Sequence, residues 1–238
     1  MKVSMRSTVS AALVAAFLAR VRREAQNARA DDCRSEPAPG VDWQNCDKNR
    51  LMLGGSDLKG AKLAGTDFTT TDLRNANLAD ADLEKAKLLR ASLSGAQAAG
   101  ARFARAEAYR TDFRELEAPG ASFESAELQR SDFRNAKLSN ANFTKAELGR
   151  SQFDGAEIGG SRFALANLAR ADFRGASFST PVDFDRAFLF LARLEGLDLS
   201  RTTGIAQSQL DMACGNDQTV LPEGLKKPPG WPCKFEQD

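Results

Sequence analysis

Histidine is absent from the 238-residue sequence, and tyrosine occurs once, at Tyr109. The commonest general acid–base side chain and metal ligand is therefore missing. The chain also contains no glycine-rich phosphate-binding loop and no Gly-x-Ser-x-Gly sequence. Acidic residues are numerous, but they fall on regularly repeated positions with no pattern that would gather them in a pocket. The sequence predicts a protein that is not an enzyme and has no cofactor.

Cysteine is scarce as well, with four residues: Cys33, Cys46, Cys214 and Cys233. None of them has Cys-x-x-Cys spacing, and with histidine absent a zinc site is disfavoured. Each cysteine pair brackets a short loop that holds one tryptophan, which favours the local disulfides Cys33–Cys46 and Cys214–Cys233 among the three pairings that four cysteines allow. The alternative is four unpaired thiols in a reducing compartment.

The N-terminal hydrophobic run, Val9–Ala19, is too short to cross a bilayer as a helix. Basic residues precede it, and Ala28-Arg29-Ala30 is a small-x-small cleavage sequence, so residues 1–30 are predicted to be a signal peptide. The basic stretch Arg20–Arg23 argues against export, because positive charge tends to stay on the cytoplasmic side. Export predicts a periplasmic or secreted protein; an uncleaved membrane-surface segment and a cytoplasmic tail are the alternatives.

In place of these features the chain has a strict repeat. Every fifth residue from Leu53 to Phe178 is Leu, Ile or Phe, except Ala98, Ala108 and Ala118. Alanine, serine or threonine predominates two positions earlier. An α-helix turns about 100° per residue and a strand alternates its faces, so neither keeps every fifth residue on one side. The period predicts a solenoid of short β-like segments whose large residues point to a common axis.

A weaker period of twenty residues lies over the five-residue period and predicts four sides per turn. Phenylalanine is concentrated on two opposite sides, and leucine, isoleucine and the three alanines occupy the others. The fold class is therefore all-β, with about seven coils. When the sequence is written in rows of twenty residues from Thr71, five successive rows end in arginine. These arginines are called the Arg column below: Arg90, Arg110, Arg130, Arg150 and Arg170.

Four segments show the repeat unit in full: ANLAD (Ala76–Asp80), ADLEK (Ala81–Lys85), ANFTK (Ala141–Lys145) and ADFRG (Ala171–Gly175). In these units the chain closely resembles the pentapeptide-repeat family, and the resemblance covers about residues 51–200. It implies a right-handed quadrilateral β-helix. We expect the coil to be narrowed, hydrated or locally irregular at the three core alanines and at Pro119, and we expect a bulge near Ser179–Val182, where one inserted residue shifts the phase.

The pattern divides the chain into four parts. Residues 1–30 are the predicted signal peptide, residues 31–50 an N-terminal cap, and residues 51–200 the repeat solenoid. Residues 201–238 form a C-terminal cap with a short helix, predicted at Thr203–Ala213, and the cysteine-bracketed loop. Caps are expected because a solenoid otherwise exposes apolar rungs at both ends.

Charge patterning favours a structural or protein-interaction scaffold with an unknown protein partner. Removing residues 1–30 changes the formal net charge from +1 to −4, because 27 basic and 31 acidic residues remain. Some pentapeptide-repeat proteins are DNA mimics that bind type II topoisomerases such as DNA gyrase, and such a mimic needs a broad acidic surface. That function is the first alternative, but the Arg column opposes it. Acidic columns beside the basic ones also argue against a nucleic-acid partner.

The Arg column itself has two interpretations. In the first it is a solvated ladder, in which each arginine pairs with the aspartate two residues further on in RTDF, RSDF and RADF. In the second it is a linear anion-binding site, which makes a peripheral envelope protein that binds anionic lipid or polysaccharide the second functional alternative. Membrane contact is left open by the sequence.

Overall fold

The computed structural model describes residues 33–233, and the chain divides into two units, Met1–Glu36 and Pro37–Asp238. The predicted signal peptide, residues 1–30, lies outside the described residues, so its cleavage stays a prediction. In the first unit, Cys33 opens a turn and is disulfide-bonded. Among residues 33–233 no helix is long and apolar enough to cross a membrane. The solenoid lies in the second unit.

The solenoid is built from isolated parallel β-bridges separated by two-residue turns, and residues 33–233 contain no longer strand. The bridges join residues twenty positions apart, from Asp42 with Lys62 to Glu157 with Ser177. Backbone hydrogen bonds follow the same register, such as that from the Phe133 N–H to the Gln152 carbonyl at 2.8 Å. Twenty residues therefore make one turn, and each turn contains four five-residue segments. The β-solenoid predicted from the two periods is confirmed.

The solenoid begins at residue 41, before the predicted boundary at residue 51. Trp43 is fully buried at the first core position, and its backbone N–H donates to the Lys62 carbonyl at 2.8 Å. Lys48 occupies the next core position at 7% exposure, with its Nζ 3.7 Å from the Trp43 ring centroid. Residues 41–50 of the predicted cap are thus part of the first coil. The hydrophobic period missed them because tryptophan and lysine replace leucine and phenylalanine there.

Two facing ladders of phenylalanine fill the core, as the sequence predicts. Within each ladder the rings stack in parallel, at 4.7 Å between Phe113 and Phe133 and 5.1 Å between Phe133 and Phe153. Between the ladders the rings meet edge to face, at 5.7 Å for Phe123 and Phe133. Both are favoured ring geometries. The core is therefore continuous along the axis.

The irregularity expected at Ala98, Ala108 and Ala118 does not occur. All three side chains are buried, and the backbone bonds keep their register, with the Ala98 N–H donating to the Glu117 carbonyl at 2.7 Å. Leu116, buried at a position that elsewhere holds a small residue, adds volume beside them. The expectation of irregularity treated each core position alone, whereas neighbouring rungs and sides fill the same interior.

Each corner of the coil is a left-handed residue two positions after the core residue. From Asn45 to Gly175 every fifth residue has a positive φ; that of Gly120, for example, is +69°. Glycine adopts this region without steric cost, and asparagine tolerates it better than most residues. Gly100, Gly120 and Gly160, spaced at multiples of twenty residues in the sequence, therefore occupy corners.

Two corner glycines should respond differently to alanine. The Cβ added by Gly120→Ala meets no atom within 4 Å. This variant should therefore lose only about 1 kcal/mol of folding free energy, because alanine is disfavoured in the left-handed region. Gly155→Ala would in addition drive its Cβ into the Asn135 Oδ1 of the preceding coil, so it should lose about 1 kcal/mol more. Urea-unfolding midpoints of the two variants test this. Equal losses would show that the Asn135 side chain moves aside freely.

The inserted residue near Ser179–Val182 has the predicted effect on register. Bridges span twenty residues up to Glu157 and Ser177, but the next joins Arg162 to Asp183 across twenty-one. Residues 179–181 are exposed, whereas Val182 is buried again. The extra residue therefore bulges outward, and the ladder resumes after it.

The C-terminal helix is shorter than predicted. Helix α1 spans Gln207–Leu210 rather than Thr203–Ala213. The solenoid takes both ends of the predicted segment, because Thr203 bridges Asp183 and the Ala213 side chain is buried next to the ladder residue Cys214. Within α1, the Gln209 Nε2 donates to the Phe184 and Ala187 carbonyls at 2.9 Å each. The helix thus covers polar groups at the end of the coil.

Candidate interaction surface

On one side of the solenoid, the Asp–Arg face, four aspartates are paired with four arginines. This face carries Asp72, Asp112, Asp132 and Asp172, each followed two residues later by Arg74, Arg114, Arg134 and Arg174. In each pair the arginine Nη2 lies 2.6–2.8 Å from the aspartate Oδ2. Hydrogen bonds from Arg74 lower the pKa of Asp72. Burial acts to raise the pKa of Asp112, but hydrogen bonds from Arg114 outweigh it and the net pKa is lowered.

The Arg column is not paired in this way. All five of its side chains are exposed, and none forms an ion pair within residues 33–233. The predicted pairing of Arg110 with Asp112 is wrong, because Asp112 binds Arg114 instead. Asp112 Oδ1 also accepts the backbone N–H of Arg114 at 3.1 Å, which turns the carboxylate away from the corner where Arg110 lies. The column is therefore a row of unneutralised guanidinium groups.

A ladder of glutamates runs along the same side as the Arg column. Glu107 bridges Glu127 and Glu127 bridges Glu147 in adjacent coils, so three carboxylates follow one another. In the described part of the chain none of them forms an ion pair; Glu147 accepts a hydrogen bond from the Asn167 Nδ2 at 2.8 Å. This side, with the glutamate ladder, the Arg column and the uncharged residues between them, is called the Glu–Arg face below.

Uncharged side chains fill the middle of the Glu–Arg face. The guanidinium carbon of Arg110 lies 5.3 Å from the ring centroid of Tyr109, so the Arg110 side chain lies over the Glu–Arg face. At the C-terminal end the rings of Phe188 and Phe190 stack at 6.1 Å and are 46% and 44% exposed. Sequence reasoning missed these two residues. The signal was present, since both phenylalanines flank the core residue Leu189 on outward positions of the repeat.

The Arg column occupies corner positions, so its arginines are conformationally unfavourable. Arg130 has a φ of 59°. Replacing it with glycine should raise the free energy of unfolding by about 0.5–1 kcal/mol, because a side chain costs about 1–2 kcal/mol there and glycine forfeits part of that gain in the unfolded chain. Arg162→Gly is the matched control, since Arg162 is exposed but lies in a bridge and should be destabilised. Thermal unfolding separates the two; a loss at Arg130 would contradict the argument.

All four cysteines are disulfide-bonded. Cys214 and Cys233 form a disulfide, which is the local pairing expected at the C-terminal end. Cys33 and Cys46 are also disulfide-bonded, and no cysteine is free among the described residues. The Trp231 Nε1 donates to the Ala213 carbonyl at 2.7 Å, so the loop that the disulfide closes lies against the end of the solenoid.

Comparison with known proteins agrees with the architecture. The sequence model of "Pentapeptide repeats (8 copies)" matches residues 53–88, and that of "Pentapeptide repeat region" matches residues 98–163. A search of curated proteins finds no match to the chain.

Solved structures provide three points of comparison. HetL, a pentapeptide repeat protein from Nostoc sp. strain PCC 7120 involved in heterocyst differentiation regulation, is 24% identical over 82% of this chain and 95% of its own, with a TM-score of 0.39. QnrB1, a plasmid-mediated fluoroquinolone resistance protein, is 21% identical over 72% of this chain and 94% of its own, with a TM-score of 0.47. A pentapeptide repeat protein from the Arabidopsis thaliana thylakoid lumen is 32% identical over 49% of this chain and 67% of its own, with a TM-score of 0.22. With both sequence models matching in the phase of the observed repeat, the chain belongs to the pentapeptide-repeat family.

Proposed function

We propose that the protein is a non-catalytic scaffold that binds a protein partner through the Glu–Arg face. One observation carries the proposal: the aspartates and arginines of the Asp–Arg face pair with one another, whereas the glutamate ladder and the Arg column of the Glu–Arg face form no ion pair among the described residues. Unpaired charge of both signs beside exposed aromatic side chains suits a protein surface, in which aromatic residues anchor and charges select the partner. We also propose that the solenoid is a right-handed quadrilateral β-helix of about seven coils.

The surface favours this function over DNA mimicry. A mimic must present a wide acidic field, but on this chain the glutamate ladder and the Arg column are only three residues apart, and even fully extended backbone of that length spans only about 10 Å. Their fields largely cancel at the distances over which a DNA-binding protein would sense them. A gyrase supercoiling assay unaffected by excess protein is the expected result; inhibition would favour the mimic.

We also propose that the protein is exported. Disulfides persist in oxidising compartments, and every described cysteine is in one. Intact-mass analysis of protein from its native host should give a chain that begins at Asp31 and is four hydrogens lighter than the reduced form. A full-length, fully reduced chain in the cytoplasmic fraction would refute export.

Photo-crosslinking in the native host tests the scaffold proposal. A crosslinking amino acid at Gln129, in the middle of the Glu–Arg face, should give a defined crosslinked protein, whereas the same probe at Gln97 on another side should not. The Gln129 product should disappear when Arg110, Arg130 and Arg150 are changed to glutamate. Identical products from both probes, or a product that survives the charge reversal, would contradict binding through this face.

A further inference from the structure

The Glu–Arg face is complementary to a second copy of itself. We propose that two copies of the chain associate through this face, with the two-fold axis parallel to the solenoid axes. The inference rests on the proposed function, because it names the partner of the same face.

Symmetry alone aligns opposite charges in this arrangement. A 180° rotation about an axis that lies in the contact plane and runs along the solenoid brings the faces together and exchanges their two edges. The glutamate ladder of one copy then lies over the Arg column of the other, at the same level along the axis. Because both columns belong to one chain, their separation and their rung spacing match without adjustment. The rungs that pair in this way are Glu107 with Arg110, Glu127 with Arg130, and Glu147 with Arg150.

The other two-fold arrangement is excluded by charge. If the axis lay across the face, the copies would be antiparallel, and each column would meet its own kind. Carboxylates would then oppose carboxylates and guanidinium groups would oppose guanidinium groups, and such like-charge contacts disfavour association. The pattern therefore specifies the direction of the two chains as well as the face.

Each column is also unfavourable in the isolated chain. Glu127 is bridged to Glu107 on one side and to Glu147 on the other, and like charges directly opposite each other destabilise paired backbone segments. The Arg column is stacked in the same way, since the Arg110 N–H donates to the Gln129 carbonyl, one position before Arg130. A partner of the same pattern relieves both repulsions at once.

The ends of the face fit the arrangement unequally. At the C-terminal end Phe190, in the middle of the face, meets Phe190 of the second copy, and Phe188 meets Leu191. Exposed aromatic residues of this kind anchor interfaces. Near the other end one rung is unfavourable, because Lys87 stands in the glutamate ladder and would face Arg90. At the first rung Asp47 of one copy lies over Arg50 of the other, so four attractive rungs and an apolar rung outweigh one repulsive rung.

The size of the face predicts a weak, reversible dimer. It extends over eight rungs, from Asp47 to Phe188, which is about 34 Å at about 4.8 Å per interval. With a width of about 10 Å, each copy contributes roughly 350 Å², below the area of a typical permanent interface. Weak association held by ion pairs must also be sensitive to salt.

Sedimentation equilibrium of the full chain tests the proposal. At about 50 mM salt the weight-average mass should rise toward twice the chain mass as concentration increases, and at about 500 mM salt the dissociation constant should be at least tenfold higher. Changing Arg110, Arg130 and Arg150 to glutamate should also raise it at least tenfold. A second variant with Glu107, Glu127 and Glu147 changed to arginine should behave alike.

Two further measurements separate this geometry from general charge effects. A mixture of the two variants should form a one-to-one complex, and a chain that carries all six changes should dimerise within threefold of the wild type. The matched control changes Arg114, Arg134 and Arg174 on the Asp–Arg face to glutamate and should leave the dissociation constant within threefold. Circular dichroism with unchanged unfolding midpoints verifies that each variant is folded.

The outcomes are decisive in both directions. A wild-type chain that stays monomeric at low salt, a six-change chain that does not recover, or an equal loss in the Asp–Arg control overturns the homodimer. If the Gln129 probe then crosslinks a different protein in the host, the scaffold proposal stands and only the identity of the partner is wrong. If neither association nor crosslinking occurs, both proposals fail.

Discussion

Replacing Phe133 with alanine is expected to lower the free energy of unfolding by about 3–5 kcal/mol. Its ring is fully buried and contacts four others: Phe113 and Phe153 stack on it at 4.7 and 5.1 Å, and Phe123 and Phe143 meet it edge to face at 5.7 and 5.8 Å. A solenoid cannot close such a cavity easily, because hydrogen bonds hold each segment to the same side of the coils above and below, whose cores are unchanged. The loss should therefore lie in the upper part of the range for a buried phenylalanine.

Urea unfolding monitored by circular dichroism measures this effect, and Phe188→Ala is the matched control. Phe188 is 46% exposed on an outward position, so the same truncation should cost at most about 1 kcal/mol. Phe133→Leu should cost about 1–1.5 kcal/mol, because Leu73 and Leu93 occupy the same side of the coil. If Phe188→Ala were as destabilising as Phe133→Ala, the aromatic ladder would not be the source of stability.

The five-residue repeat predicted the fold because the same packing requirement applies at every rung. An apolar residue at each fifth position, with a small residue two places earlier, is required wherever four segments meet around one axis. Small residues there also form bonds between coils, as when the Thr111 Oγ1 donates to the Leu88 carbonyl at 2.6 Å. The inserted residue near Ser179 was predictable for the same reason, since it interrupts that requirement.

The ends of the solenoid were less predictable because they are built from other chemistry. Trp43 and Lys48 close the N-terminal end with a buried indole and an ammonium group above it, and no hydrophobic period includes a lysine. At the other end, sequence propensity favoured a longer helix. The hydrogen bonds of the coil at Thr203 and Cys214 prevailed over that propensity, because a ladder bond and an α-helical bond compete for the same backbone groups.

The candidate site was predicted in part. The Arg column followed directly from the twenty-residue period, but its partners did not. In sequence, Asp112 lies two residues from both Arg110 and Arg114, and only the bend of the corner decides between them. Arg114 follows Asp112 on the same side of the coil, whereas Arg110 is itself the left-handed corner residue before that side, with a φ of 56°. Distance along the chain could not separate these cases.

Breaking the C-terminal disulfide, by Cys233→Ser, is expected to lower the free energy of unfolding by about 2–4 kcal/mol. The two cysteines are nineteen positions apart, and a loop of this length loses about 3 kcal/mol of conformational freedom in the unfolded chain when it is closed. Cys214 belongs to the ladder, where its N–H donates to the Ala192 carbonyl at 2.8 Å. The disulfide therefore ties the terminal loop to the last coil.

In the Cys233→Ser variant, unfolding should begin at the C-terminal end of the solenoid. Without the crosslink, Trp231 is held over Gly215 mainly by its hydrogen bond to Ala213, so hydrogen exchange should rise first in the last coil and then in its neighbour. Lys227→Ser is the matched control, since it changes an exposed residue of the same loop, removes only the exposed hydrogen bond from the Lys227 Nζ to the Asp217 carbonyl and keeps the disulfide. Its unfolding midpoint should stay near that of the wild type. Equal midpoints for Cys233→Ser and Lys227→Ser would show that the solenoid needs no covalent closure, and its end would then be stabilised by Leu210 and the Gln209 hydrogen bonds alone.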